Sequence, residues 1–403
     1  MTVRQPLEGI RVLDLSRVLV GPFCTMVLGD LGAEIIKVER PGVGDETRTW
    51  GPPWINEELK LSAYFVSINR NKKSIAVNLA RGEGRKIIYE LARISDVVIE
   101  NFRPGVAKKL GVDYEAMSKV NPRIVYCSVS GFGQTGPYRD WPAYDIIIQA
   151  MGGWMGITGE PGRPPVRIGV ALTDMIAGLY AAVAILAALR ARELTGKGQY
   201  IDISLLDASI SFMTYMAHNY FATGENPRKM GSAHPNIAPY QAFKAADGKW
   251  VILAVANDKL WRLFCQAAGL QHLADDPRFA TNAKRVENRE QLIPIIEEVI
   301  AQKPSHEWVK TLMEAGVPCA PIYQMSDIFS DPHVLHRQML LEVEHPKAGK
   351  VKQIGFPIKL SEMPCAIRLP PPLLGEHTEE VLKELLGYTD EQIARLRAEG
   401  VIQ

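Results

Sequence analysis

The chain predicts an α/β fold built on a parallel sheet. Short apolar runs of strand length recur through the first two hundred residues, helical patterns separate them, and Asp96 to Glu100 (DVVIE) has the character of a strand buried on both faces. Strands spaced by helices require right-handed crossovers, and ligands of such sheets sit outside the carboxyl ends of the strands.

In order, Ile10 to Leu15 reads as a strand, Gly21 to Leu31 as a helix, and Glu34 to Glu39 (EIIKVE) as the next strand. Ser74 to Leu79 is a third strand, Glu83 to Arg93 a helix, and Ile124 to Ser130 a strand. A helical pattern covers Tyr144 to Met151, and Tyr200 to Ser204 is again a strand. Pro41 to Ile55 and Gly152 to Pro165 read as long loops, of the kind that carry function or are covered. Thr223 to Pro239 is linker-like. A smaller α+β region follows, with strands Tyr240 to Ala245 and Trp250 to Ala254 flanking the Asp247-Gly248 turn signal. Helices are expected at Asp258 to Ala268, Arg289 to Gln302 and Ser305 to Ala315. Short strands and two terminal helices close the chain from Leu341. The domain boundaries read from this pattern are 1–222 for the large domain, 223–330 for the linker and small domain, and 331–403 for a last segment.

Net charge is +1 over 403 residues, which gives no global electrostatic case for nucleic acid or an acidic membrane. Ile176 to Leu189 is apolar but short and is closed by Arg190, so no membrane span is read. The first residues show no signal or transit pattern, and five scattered cysteines without a CxxC fit a reducing, cytoplasmic compartment. The first strand-to-helix turn, SRVLVGPF, holds one glycine, too few for a dinucleotide fingerprint. His333 and His336 lack a third ligand, so no metal is expected. No G-x-S-x-G elbow is present. Basic residues near strand ends are more informative: Arg40, the Arg70-Lys72-Lys73 group, Arg103, Lys108 and Lys109. Gathered on one rim, with Phe102 as an apolar contact, they suit a phosphorylated ligand carrying an aromatic base.

The longest uninterrupted pattern is Val166 to Arg192, a helix expected to be buried on most of its circumference. Asp174 falls in its first turn, where free N–H groups and the helix dipole favour an ionised carboxylate. From local sequence alone, a helix-capping role is the simplest reading.

Longer motifs go further: PLEGIRVLDLSRVLVGP, LGDLGAEIIKVERPGVGDETR, NRNKKSIAVNL, VVIENFRPG, SVSGFGQTGPY, PAYDIIIQAMGG, GVALTDMIAGLYAAVAILAAL and TGKGQYIDISLLD. With HPNIAPYQAFKAADG and PPPLLGEHTEEVL they resemble the family III CoA-transferases nearly end to end. The wording WGPPW, HPNIAPYQAF and RVENR looks most like the succinyl-CoA:dicarboxylate branch. The resemblance implies a doubly wound, Rossmann-like large domain made from both chain ends, a small inserted α+β domain, and an interlocked homodimer. It implies that coenzyme A is substrate and product, and that Asp174, in a G-x-x-x-x-D-x-x-x-G context, is the nucleophile. It places CoA near Leu19, Val20, Arg40, Asn101, Phe102, Arg103 and Lys109, with Val77 to Arg81 close by. Two departures stand out. Ala80 replaces a basic residue of some members, and GSAHPN stands where formyl-CoA transferase has a glycine-rich lid.

The same superfamily includes acyl-CoA racemases, whose base is a histidine before an aspartate. That position is Tyr144 here, followed by Asp145, and tyrosine with an ordinary pKa of about 10 is a poor base. A CoA-binding subunit without catalysis, serving a partner chain, is the other alternative. In the transferase reading, Asp174 forms an aspartyl-CoA thioester through mixed anhydrides, Tyr144 and Asp145 position donor or nucleophile, and the small domain with the Met230 to Ile237 loop excludes water. A dicarboxylate acceptor calls for a second cation, for which Arg48, Arg167 and His234 are candidates.

Overall fold

A computed structural model of the chain describes residues 5–403. They form two compact units: one ending its first stretch at Gly153 and adding Gly169–Ala217 and His333–Gln403, the other made of Trp154–Ile168 and His218–Pro332.

The first unit is built on six strands: β1 Arg11–Asp14, β2 Glu34–Glu39, β3 Lys72–Ala76, β4 Val97–Glu100, β5 Val125–Ser130 and β6 Gln199–Ser204. Every pairing is parallel, and the order is β3-β2-β1-β4-β5-β6. This is the doubly wound order, and it opens a crevice where winding reverses, between β1 and β4. Its principal helices are α1 Val20–Asp30, α2 Gly82–Arg93, α3 Asp145–Met151 and α4 Leu172–Thr195. On one face, Leu13, Ile36, Ile75, Val98 and Tyr126 pack against Ile87 and Leu91 of α2 and Val381, Leu382 and Ile393 near the C-terminus.

Helix α4 is long and apolar enough in composition to cross a membrane, contrary to the reading from sequence. The shorter Ile176 to Leu189 run understated it. Half of its most apolar window is buried. Gly178 brings it into contact with α1: a Cβ there would stand 2.9 Å from the Val20 carbonyl oxygen and from the Phe23 ring. Near its end, Arg192 pairs with Asp96 at 2.8 Å. These contacts make it a packing helix of the first unit.

Two sequence readings shift. The strand expected at Ser74 to Leu79 starts at Lys72, because Lys72 and Lys37 are buried lysines inside strands and look like surface charge in a linear reading. The segment 41–55 is not a plain loop. Asp45 caps a 3₁₀ turn at Glu46–Thr49, and Trp54–Asn56 pairs with Leu61–Ser62.

In the second unit, Tyr240–Lys244, Trp250–Ala254 and Cys319–Pro321 form an antiparallel sheet with Trp250–Ala254 at its centre. Gly248 turns the hairpin at φ 77°, a conformation glycine adopts without steric cost. Trp261, Phe264, Ile296 and Trp308 fill the core beneath it.

Candidate active site

Asp174 is the third residue of α4 and is only partly exposed. Among the described residues, no hydrogen bond or ion pair holds its carboxylate. Burial first, and the nearby Asp145 carboxylate second, push its pKa up to about 7. The expectation of a fully ionised aspartate therefore fails: the helix N-terminus favours the anion, but desolvation and a like charge oppose it.

Asp145 is buried in the first turn of α3 and is fully engaged. One oxygen accepts the Thr173 backbone N–H at 2.9 Å and the Thr173 hydroxyl at 2.8 Å, and the other accepts Gln149 Nε2 at 2.7 Å. It thus caps α4 from another helix and orients the turn that carries Asp174. Tyr144 precedes it and is 62% exposed.

Leu19 and Val20 begin α1, whose N-terminus has no side-chain cap. Asp174 and Gly178 are one turn apart on one face of α4, so the start of α1 packs beside Asp174. One residue that sequence reading missed lies in the same region. Tyr64 packs edge-on against Trp50, with centroids 5.0 Å apart. Its phenol is pushed up to about 12 by burial first, then by the Asp174 and Asp145 carboxylates. No local sequence signal marks Tyr64, since its closeness to Asp174 exists only in the folded chain.

At the carboxyl ends of β1 to β3 lies a cleft of about 580 Å³. Arg17, Arg40, Asn78, Ala80 and Phe102 line it. Arg40 is exposed and lines the cleft, whereas Arg103, just before the Val106–Leu110 helix, and Lys109, within it, are exposed but do not line it. Asn101 spends its amide on the Arg17 backbone, accepting from N–H at 2.9 Å and donating to C=O at 2.7 Å. Arg70, Lys72 and Lys73, expected on this rim, sit instead at the amino end of β3, where Arg70 pairs with Asp30 at 2.6 Å.

The three cations considered for an acceptor carboxylate have different fates. Arg48 is buried, and its guanidinium grips Glu39 with two bonds of 2.7 Å while stacking over Phe65. Its charge is paired with Glu39, while Nη1 lies buried without a hydrogen-bond partner among the described residues. Arg167 and His234 belong to the second unit. Arg167 is exposed and donates to the Ile168 carbonyl. Burial, then the Arg289 charge, hold His234 below its ordinary pKa, and its Nδ1 accepts from Asn236 N–H. Among the described residues no group of His, Cys, Asp and Glu is arranged to hold a metal.

The chain is similar to known proteins over nearly its whole length. It is 46% identical to a mouse succinyl-CoA:glutarate CoA-transferase over 399 residues, covering 99% of this chain and 91% of that protein. It is 41% identical to a succinate–glutarate CoA-transferase of Agrobacterium fabrum, covering 95% and 96% of the two chains. A crystal structure of a CaiB/BaiF family protein from Brucella suis superposes with a TM-score of 0.83 at 43% identity, covering 94% of this chain and 99% of that one. Residues 7–378 match CoA-transferase family III, and with a doubly wound sheet, a cleft at its switch point and a desolvated aspartate at a helix start, the chain belongs to that family of enzymes.

Proposed function

We propose that this CoA-transferase moves CoA from succinyl-CoA to a dicarboxylic acid, with glutarate the first acceptor to try, through a covalent aspartyl-CoA intermediate on Asp174. The observation that carries the reading is the state of Asp174 itself: desolvated, free of hydrogen bonds, and raised to a pKa of about 7. A carboxylate without strong partners is a better nucleophile than one locked in an ion pair. Substrates come from the relatives, two of which are named for succinate and glutarate.

In the proposed sequence, an Asp174 carboxylate oxygen attacks the thioester carbonyl, the C–S bond breaks, and CoA leaves as thiolate. The thiolate attacks the Asp174 carbonyl of the resulting mixed anhydride, giving aspartyl-CoA and freeing the donor acid. An acceptor carboxylate then attacks aspartyl-CoA, and the thiolate released attacks the acceptor acyl group, restoring Asp174. The oxyanions need preorganised donors, and the uncapped first-turn N–H groups of α1 at Leu19 and Val20 are our assignment; one such donor contributes about 3 kcal/mol. Arg40 and Phe102 are assigned to the nucleotide end of CoA, because both line the cleft at the switch point.

We also propose a homodimer. Ile146 and Ile147 of α3, Leu179 and Val183 of α4, and Ile210 and Phe212 beyond them expose a run of large apolar side chains that is unusual on a free monomer surface. All five cysteines are free thiols, which fits the cytoplasm as the proposed compartment.

The test is direct. Protein incubated with succinyl-CoA and glutarate should yield glutaryl-CoA by mass spectrometry, and Asp174→Ala should abolish transfer while melting as a folded protein. Full activity in that variant would remove Asp174 as nucleophile.

A further inference from the structure

The turn joining β1 to α1 is clamped by side chains from three other segments. Ser16 N–H donates to Asp14 at 2.9 Å, and the Ser16 carbonyl accepts from Lys37 Nζ at 3.0 Å. Both backbone groups of Arg17 are taken by Asn101. Val18 N–H donates to the two oxygens of Asp45, each at 3.2 Å.

Val18 sits at φ 67°. A β-branched residue in the left-handed region is a true outlier, because its Cβ crowds the following carbonyl. Such a conformation persists only where the surroundings over-determine it. Asp45 supplies that constraint. It is buried, it accepts from Lys37 Nζ at 2.9 Å, Thr47 N–H at 3.0 Å and the Thr47 hydroxyl at 2.8 Å, and its own N–H donates to Glu39 at 2.8 Å. None of these partners can turn away without leaving a buried charge or donor unpaired. The next residues along the chain are Leu19 and Val20, and Val20 is packed against Gly178, one turn from Asp174.

We infer that Asp45 is a positioning residue for the transfer reaction: by holding Val18 in the left-handed conformation, it fixes the direction in which α1 starts and so where the Leu19 and Val20 N–H groups lie relative to Asp174. This rests on the aspartyl-CoA reading above. Asp45 also lines the cleft, but its action is exerted through the Val18 turn, which is why kcat rather than KM is expected to change. The strained Val18 is the lever, and the other clamps on Ser16 and Arg17 keep the turn from relaxing elsewhere.

Asp45→Asn puts an amide where Val18 N–H and Lys37 both need an acceptor. The expected result is kcat down about 10²-fold, the effect of a small misplacement of a catalytic group, with KM for acyl-CoA within about threefold. Rapid quench and mass spectrometry should show CoA accumulating on Asp174 slower by the same factor. Adding Val18→Gly to Asp45→Asn should recover about tenfold of the loss, because glycine holds a positive φ without a clamp. A merely structural role would lower the melting temperature and leave kcat per folded molecule unchanged, with nothing for glycine to rescue. Wild-type kcat in folded Asp45→Asn, or no gain from Val18→Gly, overturns the proposal. If Asp45→Asn does not fold, Val18→Pro decides: it removes the same donor and, with φ locked at about −65°, the left-handed conformation as well, without stranding Lys37, so wild-type kcat in it is equally fatal. Wild-type enzyme that never carries CoA on Asp174 would instead sink the covalent reading, and this proposal with it.

Discussion

Asp174 shows how far one residue can be read from a sequence. Its place in the first turn of a long apolar helix was visible. Its charge state was not, because the terms that decide it are non-local: the surrounding burial, and Asp145 from another helix. Two outcomes follow from a pKa raised from 3.8 to about 7. The nucleophile must be ionised, so kcat/KM should fall below about pH 7, approaching tenfold per pH unit. Asp145→Asn removes the repelling charge but keeps an acceptor for Thr173, so a pH–rate profile should show that acid limb displaced to lower pH; an unmoved limb would assign it to another group. For stability the sign is the reverse of the usual aspartate. The folded state binds the proton more tightly than the unfolded state, so stability is fully present below about pH 4 and is lost as pH rises through 7. Asp174→Asn should therefore melt above the wild type at pH 8 and show no advantage near pH 4, as thermal scans at the two pH values will report. Stability sacrificed at a catalytic position is a common pattern.

At the scale of elements, most strands were legible because parallel strands are apolar runs: Glu34–Glu39 was read to the residue. The beginning of β3 was not, since a linear reading treats Lys72 as exposed, whereas its ammonium bonds the Pro22 carbonyl at 2.7 Å and Asn69 at 3.0 Å. Burial pushes that lysine down to about 7, with Asp14 opposing. The 41–55 segment was legible as a covered loop but not in its internal structure. Glycine and proline marked it as loop, and only the fold reveals that Asp45 ties it to the turn after β1. The contact of α1 with α4 depends on Gly178, whose missing side chain the motif pattern showed without giving its cause. Gly178→Ala would put a methyl group 2.9 Å from the Val20 carbonyl oxygen and the Phe23 ring, in contacts that have to give. The expected loss is about 1–3 kcal/mol in urea unfolding, with a fall in kcat as α1 shifts from Asp174. Unchanged stability and rate would mean that the two helices slide apart freely.

For the whole molecule, the parallel α/β sheet and the family were both within reach of sequence, one through alternating strand and helix patterns and the other through long motifs, while the doubly wound arrangement was implied only by the resemblance. The roles of Arg48 and His234 were not, because charge on paper does not reveal whether a partner already holds it. If the apolar surface on α3 and α4 is covered by a second copy, sedimentation velocity should give a mass about twice that of the 403-residue chain, persisting on dilution. A monomer at micromolar concentration would refute the homodimer. Beneath the cleft, Asp14, Lys37, Glu39, Asp45, Arg48 and Lys72 are all buried together. In terms of inheritance, this group has almost no one-step neighbours: any single change strands a charge in a dry interior, and only concerted replacement avoids it. Exposed Arg103 and Lys109, which lie outside the cleft, are under no such restraint. Substitutions at such exposed positions leave every buried charge paired, so the surface can change without reopening the question of how the enzyme folds.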